Sequence, residues 1–372
     1  MPTYNDLRPD SDFNQKDYAL LFSELDTVTK KRIIQNLLDL RTALSTNISK
    51  KIADKNLIIA SWNLKEFGHT TQRLPETYFY IAEIINSFDL VGVQEIKSGM
   101  RDLEIISSLL GNDWSFIVND ITEGNDGNSE RSAYLYNNKR VKLSGLAGEL
   151  VPWKKIIDSS PIDQFKRTPY ITGFTARWKS FVLINLHLHP KDKPEDVERR
   201  RNEVTLLLNM LKFKKQNKRL WNENLVIMGD CNFYRGTEKD DNTIALFNNA
   251  GYFEVEGLKG KDTNVSKTQV YDRLFFTNNN YFKLARNNNN ETVGGVFNPF
   301  NYIYRLGQES IYRKEMKDDY TGNKNMNDPD NLKSYFKHPW RKNQISDHFP
   351  IWAELLIDSS DDFLQKKLGE LG

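Results

Sequence analysis

One arrangement recurs along this chain: a run of apolar residues of strand length, with a polar side chain where the run stops. Its clearest instance is the stretch Leu225 to Met228, followed at once by Gly229, Asp230, Cys231 and Asn232. So short and so apolar a run fits a buried strand, and Gly229 tolerates the tight turn expected to end it. Alternate strand residues face the same way, so Asp230 and Asn232 are expected to point together out of the strand mouth, where open α/β sheets place their sites. A plain Asp/Asn turn would explain this stretch by itself. Repetition elsewhere in the chain is what argues for a site.

Asn56 to Trp62 is the first such run and delivers Asn63. A helix over Pro75 to Ser87, with proline suited to its first turn, leads to a buried strand from Asp89 that ends in Glu95. Arg101 to Leu110 reads as a helix, Trp114 to Val118 as a strand and 124–129 as a loop. Ala133 to Tyr136 then reads as a strand emerging just after Glu130. Ile171 to Trp178 and Ser180 to Leu186 pattern as a hairpin that ends in His187 and His189. The helix expected over 193–218 carries Val204, Leu207, Leu208 and Leu211 on one side and many basic residues on the other. A helix over Asp240 to Ala250, a strand over Val270 to Phe276 containing Asp272, and a closing strand from Phe349 to Leu356 after Asp347 and His348 complete the pattern.

Two regions stand outside it. Asp17 to Ser45 carries Leu20, Leu21, Leu25, Val28, Ile33, Ile34, Leu37, Leu38, Leu40 and Leu44 at helical spacing, which predicts one long helix or a helical hairpin. So many apolar positions need a covering surface. The extension is therefore expected to pack on the rest, to assemble a homo-oligomer, or to bind a regulatory partner. Gly294 to Lys342 reads as a long irregular loop with one short helix, the kind of segment that is usually functional or disordered. The expected division is a helical extension over 1–55, a main domain over 56–358 with an insertion at about 294–342, and a tail over 359–372.

Composition narrows the classes without choosing a partner. The net charge is only +2, from 52 basic and 50 acidic residues, so affinity for nucleic acid must come from clustered charge. Candidate clusters are Arg199, Arg200, Arg201, Lys212, Lys214, Lys215, Lys218 and Arg219 on the basic helix. A second interleaves Tyr302, Tyr304, Tyr312 and Tyr335 with Arg305, Arg313, Lys314, Arg341 and Lys342. No run approaches the roughly 20 apolar residues of a membrane span, and the first residues lack a signal-peptide pattern, which leads to the expectation of a cytoplasmic protein without membrane contact. The single cysteine, Cys231, excludes an internal disulfide and a Cys-rich zinc site, and fits a buried filler better than a nucleophile.

Collected by strand end, the polar groups are Asn63, Glu95, Glu130, His187, Asp230 with Asn232, Asp272, and Asp347 with His348. Asn63, Glu95 and Asp347 are hard oxygen ligands that suit Mg²⁺ or Mn²⁺. A histidine backed by a carboxylate makes a tuned base, acid or charge stabiliser for phosphoryl chemistry near neutral pH.

With these residues in place, the chain resembles the endonuclease/exonuclease/phosphatase superfamily, and within it the deoxyribonuclease I pattern. The stretches that carry the resemblance are WNLKEFG at 62–68, DLVGVQEIK at 89–97, ERSAYLY at 130–136, KRTPY at 166–170, NLHLHP at 185–190, GDCN at 229–232, YDRLFF at 271–276 and SDHFPI at 346–351. It spans about residues 56 to 356. It implies an α+β, four-layered α/β sandwich of two packed mixed sheets flanked by helices, acting as a Mg²⁺- or Mn²⁺-dependent phosphodiesterase. Glu95 and Asn63 resemble the main metal ligands, completed by Asp347 directly or through water. Asp230 and Asn232 resemble the pair that orients water and the scissile phosphate or holds a second ion. His348 with Asp272, and His187 with Glu130, resemble the family's His-carboxylate pairs, with the base left open between His348 and Asp230. Arg167 resembles a phosphate-gripping arginine, and Lys65 and Lys97 fall where deoxyribonuclease I sets basic residues against DNA. DNA is the expected substrate. Inositol phosphates or phospholipid head groups are the alternative, and a catalytically inactive binding module is the rival of another class.

Overall fold

Parallel pairing lies at the centre of each of two sheets. The computed structural model describes residues 2–9, 20–68, 73–121, 129–236 and 238–371. One six-stranded sheet has the order β11 (Gly294–Val296), β12 (Ile351–Leu356), β1 (Asn56–Phe67), β2 (Leu90–Ile96), β4 (Arg131–Asn137), β3 (Trp114–Val118). The other runs β5 (Lys142–Glu149), β6 (Tyr170–Ala176), β7 (Lys179–His187), β8 (Leu225–Asp230), β10 (Asp272–Phe276), β9 (Phe253–Glu254). β1 pairs with β2 in parallel and β7 with β8 in parallel, whereas their outer neighbours are antiparallel. A parallel pair needs a crossover. Helix α2 (Pro75–Asn86) supplies it for the first sheet and α5 (Pro194–Gln216) for the second, each with proline in its first turn.

Strand alternation builds the layers. Leu57, Ile59, Leu90 and Tyr134 of the first sheet meet Phe174, Leu183, Met228 and Leu274 of the second in the core between them. Ile58, Ala60, Val91 and Val93 face the other way, onto α1 (Thr27–Asn47), α2 and α3 (Arg101–Leu110). The second sheet buries Ile184 and Ile227 against α5 and α6 (Glu238–Asn249) through Leu207, Leu211 and Phe247. Two packed mixed sheets flanked by helices are thus the observed architecture, as the resemblance implied.

Several local expectations need correction. The N-terminal helix begins at Thr27, where the Asp26 carboxylate accepts the Thr29 N–H at 2.7 Å and caps the first turn. Leu20, Leu21 and Leu25 precede it in non-helical chain, and 17–19 lie outside the described residues, as do 124–128 of the expected loop. Strand β1 runs on through a bulge to Phe67, past the expected end at Asn63. Gly229 does not end β8. It sits within the strand at φ 143°, where a Cβ would lie 2.0 Å from the Leu186 carbonyl oxygen, so glycine permits close approach to β7.

The region 294–342 is an ordered, packed unit: α7 (Arg313–Asp319), α8 (Pro329–Tyr335), a π-helical turn Phe336–Trp340 and α9 (Arg341–Gln344). Tyr304, Tyr312 and Arg341, expected on a nucleic-acid surface, are buried: the two rings pack tilted or edge-on against one another and against Trp340 at centroid distances of 5.1 to 5.6 Å, and Arg341 lies over the Phe300 ring. Arg200 leaves the basic face of α5 for the same kind of reason. Its guanidinium is fully buried and forks onto Asp240 at 2.9 and 3.1 Å. Strand β5 escaped the sequence reading because its glycines interrupt the apolar run and its residues alternate between exposed and half-buried. Helices α4 (Lys154–Ile157) and α10 (Ser360–Leu371) are short or exposed and left little periodic signal. No described helix is long and apolar enough to cross a membrane.

Helix α1 covers its own apolar stripe. Ile33 and Leu40 are fully buried in the core of the first sheet, while Leu38 on the opposite side is 54% exposed. Leu40→Ala is therefore expected to cost about 2–5 kcal/mol of stability by leaving a cavity, and Leu38→Ala to fall within about 0.5 kcal/mol of the parent. Urea unfolding of the full chain checks this, and equal effects at the two positions would contradict the packing.

Candidate active site

The strand directions bring the polar groups to one rim. The C-terminal ends of β1, β2, β7 and β8 meet there with the N-terminal starts of β4, β10 and β12. In the second sheet His187 pairs in register with Asp230, and Asp230 with Asp272, so three functional side chains form a row across neighbouring strands. Glu130 stands just before β4 and His348 just before β12. Together with Glu66, Lys97, Arg167, Pro190 and Asn232, the residues Glu95, Glu130, His187, Asp230 and His348 line a cavity of about 490 Å³.

At its floor, ligand atoms of Glu95, His187 and Asp230 lie within 4.8 Å of one another. Asn63 donates its amide N–H groups to Glu95 Oε1 at 2.8 Å and to Asp230 Oδ2 at 3.0 Å, and its oxygen accepts the Lys65 N–H at 2.9 Å. An electropositive group thus bridges a half-buried and a buried carboxylate at the spot a cation would suit. The oxygen-rich donor set fits Mg²⁺ or Mn²⁺. Oxygen ligation by Asn63 requires its amide to turn over, and Asp347 is not drawn into the cluster. Its half-exposed carboxylate lies 3.9 Å from Lys65 Nζ.

Two imidazoles flank Asp230. His348 Nδ1 is 2.9 Å from Asp272 Oδ2 and its Nε2 is 3.7 Å from Asp230 Oδ2. His187 Nδ1 lies 3.1 Å from Glu130 Oε2 and its Nε2 is 3.6 Å from the same Asp230 oxygen. Both histidines thus stand beside their expected carboxylates, His348 hydrogen-bonded to Asp272 and His187 within ion-pair distance of Glu130 without an aligned hydrogen bond. Burial opposes charge on His348, but Asp272 and Asp230 outweigh it and hold the imidazole well above its ordinary value. Burial likewise pushes Asp230 up, and the two imidazoles with the Asn63 amide pull it below the ordinary carboxylate value.

Arg167 donates from Nε to Glu130 at 2.6 Å, and Lys97 lies 3.2 Å from the same carboxylate. The Arg167 Nη1 is buried without a partner among the described residues. Asn232, at φ 52°, turns back to donate its backbone N–H to Asp230 at 3.0 Å and its side-chain amide to the Leu188 carbonyl. Cys231 is buried, as expected of a filler. His189 belongs to local structure, 2.7 Å from Asp196 on α5. Sequence reasoning gave no role to Ser346, whose hydroxyl donates to the Asn63 carbonyl at 2.7 Å and accepts the His348 N–H at 3.0 Å. A serine in the Ser-Asp-His run was visible, but its partner lies 283 residues away.

Glu130 is the hub of the basic groups. Burial raises its carboxyl, yet His187 and Arg167 outweigh that and hold it well below the ordinary value of 4.5. A depressed carboxylate stabilises the fold above its unfolded value and loses that contribution as pH falls. Thermal unfolding between about pH 7 and pH 3 is expected to show a shallower acid slope in Glu130→Gln than in the parent. The variant should also be about 1–3 kcal/mol less stable at neutral pH, since Arg167 loses its charged acceptor. Parallel acid slopes would contradict the pairing.

No family model matches the chain. It is 26% identical to bovine (Bos taurus) deoxyribonuclease-1 over 152 residues, which is 38% of this chain and 51% of that protein, so the match spans about half of the relative's length. It is 25% identical to rat (Rattus norvegicus) deoxyribonuclease gamma over 236 residues, 59% of this chain and 70% of the relative. Among solved structures, an endonuclease/exonuclease/phosphatase family protein from Bacteroides thetaiotaomicron superposes with a TM-score of 0.51 at 18% identity, covering 82% of this chain and 98% of the other. In fold the chain is thus similar to the endonuclease/exonuclease/phosphatase proteins, and in sequence to deoxyribonucleases over part of their length.

Proposed function

We propose that the chain is a divalent-metal-dependent phosphodiesterase that hydrolyses DNA by attack of an activated water. The observation that carries this reading is the placing of one ionised carboxylate, Asp230, between two imidazoles at 3.6 and 3.7 Å, each backed by its own carboxylate. Asp230 is within reach of a water on the cavity floor and would take its proton as it attacks phosphorus. His348, held protonated by Asp272, would hydrogen-bond a phosphoryl oxygen and steady the charge that builds there. Arg167, with a buried Nη1 still to be satisfied, would hold a second phosphoryl oxygen with its planar fork. His187, oriented by Glu130, would face the opposite side of the same phosphate.

Glu95 and the turned Asn63 amide would hold Mg²⁺ or Mn²⁺, with Asp347 acting through water. When bound, such an ion polarises the phosphoryl oxygen and offsets charge on the leaving oxygen. An inactive binding module has no use for so complete a set of buried, mutually compensated charges.

The preference for DNA rests on the relatives named deoxyribonuclease, to which the chain is similar over part of their length. Burial of Tyr304, Tyr312, Arg341 and Arg200 removes part of the surface argument for nucleic acid. That observation keeps small phosphodiesters, such as lipid head groups, as the second reading. Nicking of plasmid DNA in Mg²⁺ or Mn²⁺ should stop on chelation and return with added ion. Asp230→Asn should lower kcat by about 10²- to 10⁴-fold, the span of a general base. Undiminished turnover in that variant would end this assignment, and cleavage of a phospholipid head group with none of DNA would replace the substrate.

A further inference from the structure

Two chain segments deliver site residues on irregular backbone. One is the β1 bulge, where pairing with β2 shifts between Asn63 and Phe67 and where Lys65 and Glu66 take φ of 39° and 47°. Neighbouring left-handed non-glycine residues persist only where their surroundings hold them. The bulge has a visible use. It aims the Lys65 N–H at Asn63 Oδ1, at 2.9 Å, and the Glu66 N–H at Glu95 Oε2, at 3.0 Å. The other segment is Gln344 to His348, which carries Ser346, Asp347 and His348 to the same rim.

One side chain holds both. Arg73 has a fully buried guanidinium. Its Nη2 donates to the carbonyls of Leu64 at 2.9 Å and Lys65 at 2.7 Å, inside the bulge. Nε donates to the Gln344 carbonyl at 3.2 Å, and Nη1 to Asp102 at 3.2 Å. Asp102 in turn accepts the Gly68 N–H at 3.1 Å, closing the far side of the bulge. Four acceptors from three separate segments converge on one planar fork, a geometry that an ammonium cannot reproduce.

We propose that Arg73 is a positioning residue for the candidate metal-binding groups, fixing the bulge that orients Asn63 and Glu95 and the segment that delivers His348. This rests on the metal-dependent reading above. Arg73 touches none of the reacting groups and acts through the backbone of Leu64, Lys65 and Gln344. Arg140 provides a matched control. It makes a comparable ion pair with Asp89 at 3.1 Å and donates to the Asn56 carbonyl at 2.6 Å, at the opposite end of β1.

The test compares the full chain with Arg73→Lys and Arg140→Lys. Mn²⁺ binding is measured by calorimetry, and the exchange of the Lys65 and Glu66 amides by hydrogen–deuterium exchange. Arg73→Lys is expected to weaken Mn²⁺ binding by about tenfold or more and to speed exchange at both amides. Arg140→Lys should lower the melting temperature while leaving Mn²⁺ affinity and those amides unchanged. If Arg73→Lys does not fold, the paired Arg73→Met/Asp102→Asn variant, which removes both buried charges together, takes the same measurements. Parent-like exchange and affinity in the Arg73 variants, or equal losses in Arg140→Lys, overturn the proposal. A parent chain that binds no Mn²⁺ refutes the metal reading instead, and the amide exchange still decides whether Arg73 holds the bulge.

Discussion

Four carboxylates, Glu95, Glu130, Asp230 and Asp272, are gathered within a rim where three of them are almost completely shielded from water. Like charges at such spacing in a poorly polarisable interior repel strongly, and positive groups interleaved with them offset that repulsion. The chain supplies those groups in alternation. Arg167 and Lys97 sit against Glu130, His187 stands between Glu130 and Asp230, and His348 stands between Asp230 and Asp272. Most of what the rim can do follows from this chain of opposite charges. The histidines are oriented because each must face a carboxylate, and Asp230 stays ionised because it faces two imidazoles.

Sheet topology makes the alternation possible. The central strands of each sheet run parallel, so their C-terminal ends meet at one rim. Antiparallel neighbours contribute their starts to the same place, which is why a carboxylate before β4 or a histidine before β12 can meet an aspartate at the end of β8. This is also why the site was legible in the sequence. A run of apolar residues ending in one polar residue records both a strand and the rim it reaches. Asn63, Glu95, His187 and Asp230 were all readable in that way.

What was not legible depended on partners distant in sequence. The spacing of Leu20 to Leu44 suggested one long helix or a helical hairpin, but Asp26 caps a later start and leaves the earlier leucines outside it. Tyr304 and Tyr312 look like surface aromatics beside basic neighbours until Trp340 and Phe336 fold over them. Arg200 reads as one more cation on a basic helix, and only the fold brings Asp240 to it. A local pattern can show that a residue is polar, aromatic or charged. Whether that property is spent inside the protein is decided by tertiary contacts.

The same distinction bears on how α1 and the packed region 294–344 relate to the rim. Arg32 of α1 donates to the buried carboxylate Glu76 at 2.6 Å and lies 4.9 Å from the Tyr312 ring centre. Thr77, next to Glu76 on α2, hydrogen-bonds both Tyr304 at 2.7 Å and the Gln344 side chain at 3.0 Å. From Gln344 the chain continues through Ser346, Asp347 and His348. Among the described residues, the extension and the insertion therefore contribute no rim residue before Ser346, yet both are continuous with the rim through buried polar contacts and a shared apolar core. Elements so joined cannot shift independently at low cost, because each move would leave a buried polar group unpaired. Their physical role in this structure is that of a rigid backing. The bulge of β1 and the segment before His348 can hold strained backbone because the layer behind them is closely packed and tied to them by buried polar contacts.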